Sequence, residues 1–302
     1  MLTQLAAPSL TDFGHAIYLQ RDDLLRIGGT DSPLQGNKCR KLLPNLAAAR
    51  AAGLNRILSF GGAYSNHLAA LAAAGRVYDV ETIGIVRGEP VHNPTLSRAR
   101  ADGMQLHFVS RTDYRRRADA DYRQELLHRF GPAYLLPEGG TNELAAGGCR
   151  EVVCEIRAGL PTGFDYLAVS IGTGGTFGGL LAETILTKRG RVLGFPALKG
   201  NFWEAQLAPF TTDVFADRFQ IYPDYHQGGF ARWTPELATF IRRFYYEEGI
   251  LLDPLYTGKM MLGLYDLIRR GTFPPASIIV AVHTGGLQGW GGFPEQFAAV
   301  RA

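Results

Sequence analysis

Tyr166-Leu167-Ala168-Val169-Ser170-Ile171-Gly172-Thr173-Gly174-Gly175-Thr176-Phe177 decides the fold. An apolar run of strand length stops at glycines, and a helical pattern over Phe177–Leu186 follows at once. Backbone N–H groups freed by glycines, two threonine hydroxyls and a helix dipole make a site for a phosphate. The same grammar recurs along the chain. Short apolar runs lie at Arg56–Phe60, Glu81–Val86, Gln105–Val109, Tyr134–Leu136, Tyr166–Ser170, Val192–Phe195 and Ser277–Val282. Helical patterns such as Ser65–Arg76 and Leu144–Arg157 separate them. Strand–helix alternation predicts an α/β fold whose sheets are open and mostly parallel. Sites in such sheets gather at the carboxyl ends of strands.

The length of 302 residues suits two lobes. The expected division is a small α/β domain over residues 51–149, inserted in a large domain made of residues 1–50 and 150–302. Residues 208–235, rich in Phe, Tyr, Asp and Pro, read as an irregular excursion. A net charge of +3 gives no reason to expect a nucleic-acid partner. The basic run Arg115–Arg117 reads as a solvated helix face. No stretch approaches the ~18 apolar residues of a membrane span. The start carries no basic segment ahead of an apolar core, so no signal peptide is expected. Cys39, Cys149 and Cys154 form no paired framework and, like the seven histidines, lack metal-ligand spacing. Reduced thiols point to the cytoplasm.

Only five lysines are present: Lys38, Lys41, Lys188, Lys199 and Lys259. Lys188, beside Arg189-Gly190-Arg191, reads as a surface helix end, and Lys199 as loop. Lys38 follows Gly36-Asn37 and opens a helix. The positive end of a helix dipole disfavours added positive charge, and a neutral amine is the form that attacks an aldehyde. The alternative for this motif is a solvated lysine in a basic turn. Lys41, one turn on, reads as structural. Phe60-Gly61-Gly62-Ala63-Tyr64-Ser65-Asn66-His67 places a second helix start after a strand. Ser65 suits an N-cap, and the hydroxyl, amide and backbone N–H groups there suit a carboxylate or phenolate. The stretch is not a Gly-x-Ser-x-Gly elbow. From Gly172 a dinucleotide fingerprint fails at Phe177, and no Gly-Lys-Ser/Thr is present. A phosphate monoester therefore fits better than a pyrophosphate. A Schiff-base lysine plus a phosphate cradle is what pyridoxal 5'-phosphate (PLP) requires. Asp253-Pro254-Leu255-Tyr256-Thr257-Gly258-Lys259 and His283-Thr284-Gly285-Gly286 are two further turns that read either as site walls or as ordinary turns.

In Gly36-Asn37-Lys38-x-Arg40-Lys41-Leu42, Ser65-Asn66-His67, Gly172–Thr176, Tyr222-Pro223-Asp224-Tyr225, Asp253-Pro254-x-Tyr256-x-Gly258-Lys259 and His283-x-Gly285-Gly286, nearly the whole chain resembles the 1-aminocyclopropane-1-carboxylate (ACC) deaminase / D-cysteine desulfhydrase family. These are fold-type II PLP enzymes related to the tryptophan synthase β subunit. The resemblance implies that Lys38 forms the Schiff base and moves the Cα proton. It implies that Asn66 bonds the phenolic oxygen of PLP, and that Gly172, Thr173, Gly174, Gly175 and Thr176 hold its phosphate. Ser65 would bind the substrate carboxylate and act as a second acid/base. Asn66, His67 and Tyr64 would complete the substrate side, and Tyr225 and Tyr256 would line the pocket and assist proton transfer. Thr257 and Thr284 stand beside the cofactor ring where the deaminases carry glutamate and leucine, which resembles the desulfhydrase branch. Tyr64 replaces a common glutamine, and the segment before the lysine is shorter than usual.

The expected activity is therefore PLP-dependent β-elimination of a small amino acid, D-cysteine first, by a homodimer. ACC deamination and turnover of another amino acid, including racemisation, are the near alternatives. A nucleotide-binding oxidoreductase or a PLP carrier without turnover are the distant ones.

Overall fold

The computed structural model describes residues 1–6, 13–187 and 189–301. Lys188 lies outside them. The strands are β1 (Leu2–Gln4), β2 (Ala16–Arg21), β3 (Arg56–Gly61), β4 (Glu81–Arg87), β5 (Gln105–Val109), β6 (Tyr134–Leu136), β7 (Tyr166–Ile171), β8 (Arg191–Pro196), β9 (Phe219–Ile221) and β10 (Ile278–His283). The helices are α1 (Asn37–Ala51), α2 (Asn66–Tyr78), α3 (Pro94–Ala101), α4 (Arg111–Arg115), α5 (Ala120–Phe130), α6 (Glu143–Gly159), α7 (Gly175–Leu186), α8 (Phe202–Leu207), α9 (Pro235–Glu248), α10 (Thr257–Arg269) and α11 (Pro294–Arg301). All seven expected strands form, with ends shifted by one residue at most.

The chain divides into two compact units. One comprises Leu25–Gly148, the other Met1–Leu24 with Cys149–Ala302. The helix α1 that carries Lys38 thus groups with the smaller unit, whereas the sequence placed residues 1–50 with the larger.

The smaller unit holds a four-stranded sheet in the order β5-β4-β3-β6, parallel throughout. Successive residues of β3 pack into different cores. Ile57 joins Leu42, Leu46, Leu68 and Leu71, while Leu58 and Phe60 join Ile83, Ile85 and Leu126. Side chains alternate across a strand, so this sheet is covered on both faces, as parallel sheets require.

The larger unit holds a six-stranded sheet in the order β1-β2-β10-β7-β8-β9. Only β1 runs antiparallel to its neighbour. The same alternation sorts its residues. Ala168, Leu193 and Ala281 join the core of α9 and α10, while Leu167, Val169 and Val280 join that of α6 and α7. The sequence reading missed β1, β2 and β9. In β2 the apolar run is only Ala16-Ile17-Tyr18-Leu19, flanked by His15 on one side and by Gln20-Arg21-Asp22-Asp23 on the other, so it is weakly marked. Strand β9 lies inside the 208–235 excursion, which is otherwise built of short helical turns at Asp213–Arg218 and Pro223–His226.

Candidate active site

In the larger unit β7 ends at Ile171, and Gly172-Thr173-Gly174 turns the chain into α7. Gly174 is the N-cap residue, with φ +81°, and no side chain caps the helix. A Cβ at Gly174 would stand 2.7 Å from the carbonyl oxygen of Gln206. Both facts call for glycine. The first-turn amides of a twelve-residue helix are thereby left without a side-chain cap, which is the arrangement that takes an anion. The residues present fit a phosphate monoester.

Gly172 also touches the turn before α10. A Cβ there would lie 3.2 Å from the Tyr256 ring. Asp253, fully buried, builds that turn by accepting from the N–H groups of Leu255, Tyr256 and Thr257 at 2.8–2.9 Å. The Thr257 hydroxyl donates to the same carboxylate. The structure therefore brings Tyr256 against the Gly172 loop, with Thr257 next to it in the chain. The buried Thr284 follows β10, where Nδ1 of His283 accepts from Gly285 N–H and its Nε2 lies 2.9 Å from Leu251 O. Tyr225, the other tyrosine expected at the pocket, packs on α10, where a Cβ at Gly263 would stand 2.7 Å from its ring. Its hydroxyl donates to Asp266 Oδ2 at 2.6 Å, and Arg270 holds the same oxygen. Burial and that bond push the phenol up to about 12.

In the smaller unit α1 starts after Gly36, again with no side-chain cap. Lys38 is half-buried, and its Nζ donates to Asn37 Oδ1 at 3.1 Å. Helix α2, which packs on α1, is capped by Ser65, whose Oγ accepts from Leu68 N–H at 3.2 Å. Asn66 opens the helix, and Tyr64, 46% exposed, precedes it on a turn held by Asn93 Nδ2 to Ala63 O. His67 is instead buried. Ser59 Oγ donates to Leu136 O and so receives the Nε2–H of His67, at 2.7 Å. Burial, then the charges of Lys38 and Lys41, hold its pKa well below the usual histidine range. A neutral ring bonded into the sheet supports the start of α2 from beneath. The reason is sequence-distant: Leu136 supplies the acceptor.

Two elements escaped the sequence reading. The Gly139-Gly140-Thr141 turn after β6 takes the buried Lys41, whose Nζ donates to Gly139 O and Thr141 Oγ1. A Gly-Gly pair closing a strand was the available signal. The other is the setting of Lys259, which the sequence placed only in a turn and which is buried in the first turn of α10.

Residues 2–285 match the family model for pyridoxal-phosphate dependent enzymes. The chain belongs to that family. It is a PLP-dependent enzyme of the lyase type. Its relatives narrow the branch to ACC deaminase / D-cysteine desulfhydrase. A protein of Pyrococcus horikoshii provisionally named ACC deaminase is 30% identical over 290 residues, covering 92% of this chain and 86% of the relative. A bifunctional D-cysteine desulfhydrase / ACC deaminase of Arabidopsis thaliana is 28% identical, covering 95% and 76%. The solved structure of an ACC deaminase homologue superposes with a TM-score of 0.84 at 27% identity, covering 99% and 93%. PLP membership removes the dinucleotide alternative for the Gly172 loop. Among the described residues no helix is long and apolar enough to cross a membrane.

Proposed function

We propose that this enzyme eliminates sulfide from D-cysteine, giving pyruvate, hydrogen sulfide and ammonia. When bound, PLP supplies an aldehyde that condenses with amines and a ring that accepts the charge left on Cα. The Gly172–Thr176 loop holds its phosphate through the uncapped start of α7. Asn66, at the start of α2, meets its phenolic oxygen. Lys38 anchors it and takes the Cα proton, with Asn37 Oδ1 steadying the amine. Ser65 and the first amides of α2 grip the substrate carboxylate, which fixes the Cα–H bond for removal. Tyr256 lines the pocket and Tyr64 borders it. Tyr225 has a structural share through Asp266. The thiolate then leaves with a proton, and the remaining enamine takes up one water to give pyruvate and ammonia. The homodimer and the cytoplasmic setting expected from the sequence stay part of this reading, open to sedimentation equilibrium and cell fractionation.

The observation that carries the choice of substrate is Thr257. It is buried, and its hydroxyl is spent on Asp253, whose two oxygens already serve three backbone amides. The position thus offers no carboxylate to keep the cofactor ring protonated. Expelling a thiolate needs less of that help than opening a cyclopropane does. The rival is ACC deamination, supported by the names of the relatives. Purified enzyme given D-cysteine should release sulfide and pyruvate in equal amounts, and should yield little 2-oxobutyrate from ACC. Turnover of ACC without sulfide release from D-cysteine would reverse the assignment.

A further inference from the structure

Four of the five residues Gln227–Ala231 have positive φ: Gln227 (+52°), Gly228 (+85°), Gly229 (+112°) and Ala231 (+56°). Two of them carry a Cβ, so the loop is held in a conformation that L residues avoid. Local bonds exist, from Gly228 N–H to His226 Nδ1 and from Gly229 N–H to His226 O. The stronger restraint comes from beneath. Lys259 is 2% exposed, and its Nζ donates to Gly229 O at 2.6 Å and Ala197 O at 3.3 Å. Among the described residues no carboxylate lies within ion-pair distance of it. Gly229 is buried while its neighbours on both sides are exposed, because its carbonyl turns inward to the ammonium. Ala197 is tied in turn, through its N–H, to Ile171 O at the end of β7. One buried amine thus joins the strained loop to the strand that leads into Gly172.

Phe230 sits on this loop. It is 38% exposed, and its ring centroid lies 6.0 Å from that of Tyr256, the ring that packs on Gly172. Strain that keeps an aromatic ring partly in solvent serves no packing purpose, and such strain gathers at ligand sites. Sulfur makes favourable contacts with aromatic edges.

We propose that Lys259 is a positioning residue that clamps the Gln227–Ala231 loop, and that Phe230 is a specificity-determining residue whose ring, with Tyr256, faces the β-substituent of the substrate and favours sulfur over oxygen there. The second half rests on the PLP lyase reading above.

Four variants test this: Lys259→Met, Lys259→Arg, Phe230→Ala and Phe230→Leu. Cleavage by trypsin after the exposed Arg232, with no substrate present, should be about tenfold faster in Lys259→Met than in wild type and close to wild type in Lys259→Arg. Equal rates in wild type and Lys259→Met would overturn the clamp. For Phe230→Ala, KM for D-cysteine should rise about tenfold while KM for D-serine and kcat stay near wild type, with Phe230→Leu between. The visible absorbance of the bound cofactor should be unchanged. A parallel rise in both KM values, or none, would overturn the specificity role. Should Lys259→Met fail to fold, Lys259→Arg with native proteolysis but raised KM would count against the clamp, and the Phe230 variants stand alone. If wild type binds PLP but leaves D-cysteine untouched, the proposed substrate fails, while the proteolysis result still decides the clamp.

Discussion

Lys38 and Lys259 occupy the same kind of place, the first turn of a helix, one in each unit. There the helix dipole opposes a positive charge. Their surroundings then diverge. Lys38 is half-buried on a helix capped by no side chain, and its Nζ leans on the adjacent Asn37. Lys259 is buried against two carbonyls from separate segments, on a turn whose amides are taken by Asp253. In the proposed reading the first is the amine that exchanges partners. The second fixes an amine as a cross-link. Helix position alone therefore does not make a lysine reactive; what surrounds the nitrogen decides.

The largest effect that can break this contrast is at Lys38. Replacing it by alanine should lower turnover by at least about 10²–10⁴-fold, the share a positioned proton carrier contributes, and should remove the covalent cofactor absorbance. Lys259→Met should keep that absorbance. If the two variants lost it equally, the contrast between an exchangeable and a fixed amine would fail.

A second effect is a matter of pH. Burial pulls Lys259 down to about 8, against an opposing pull from Asp253. Because the unfolded chain holds that proton up to its ordinary lysine range, the unfolded state binds more protons than the folded one between these values. Stability must then rise with pH over this window, by about 2 kcal/mol from pH 8 to 9.5. The charged clamp is thus a cost to the fold at neutral pH. Urea midpoints of wild type should climb across that range and those of Lys259→Met should not. Parallel pH profiles would show that the buried amine is not the group titrating.

What could be read from the sequence follows the range of the interactions. Strands that end in glycine turns, Tyr166–Ile171 before Gly172 and Arg56–Gly61 before Ser65, announce themselves within a dozen residues. The position of Lys38 at a helix start is legible for the same reason, through Gly36 and Asn37. The settings of His67, Tyr225 and Lys259 are not, because Leu136, Asp266 and Gly229 reach them only after folding. Strand β2 stayed hidden since its pairing with β10 joins the two ends of the chain. The placement of α1 with the smaller unit likewise depends on its packing against α2, on which the motif itself is silent.

The smallest effect comes from a third helix start, which the contrast predicts to be intermediate. Ser65 caps α2 through Leu68 N–H, so it has a structural duty that Lys38 lacks. Its proposed second duty is to grip the substrate carboxylate. Ser65→Ala should lose both, with about 1 kcal/mol of stability and a raised KM. Ser65→Asp separates them. Aspartate is as good a cap as serine and favours the positive end of the dipole, so stability should hold. Its charge would repel the substrate carboxylate, so KM should rise further than in Ser65→Ala while kcat changes less. An aspartate variant that binds substrate as well as wild type would leave Ser65 a cap and nothing more. The carboxylate would then have to be held by the α2 amides alone.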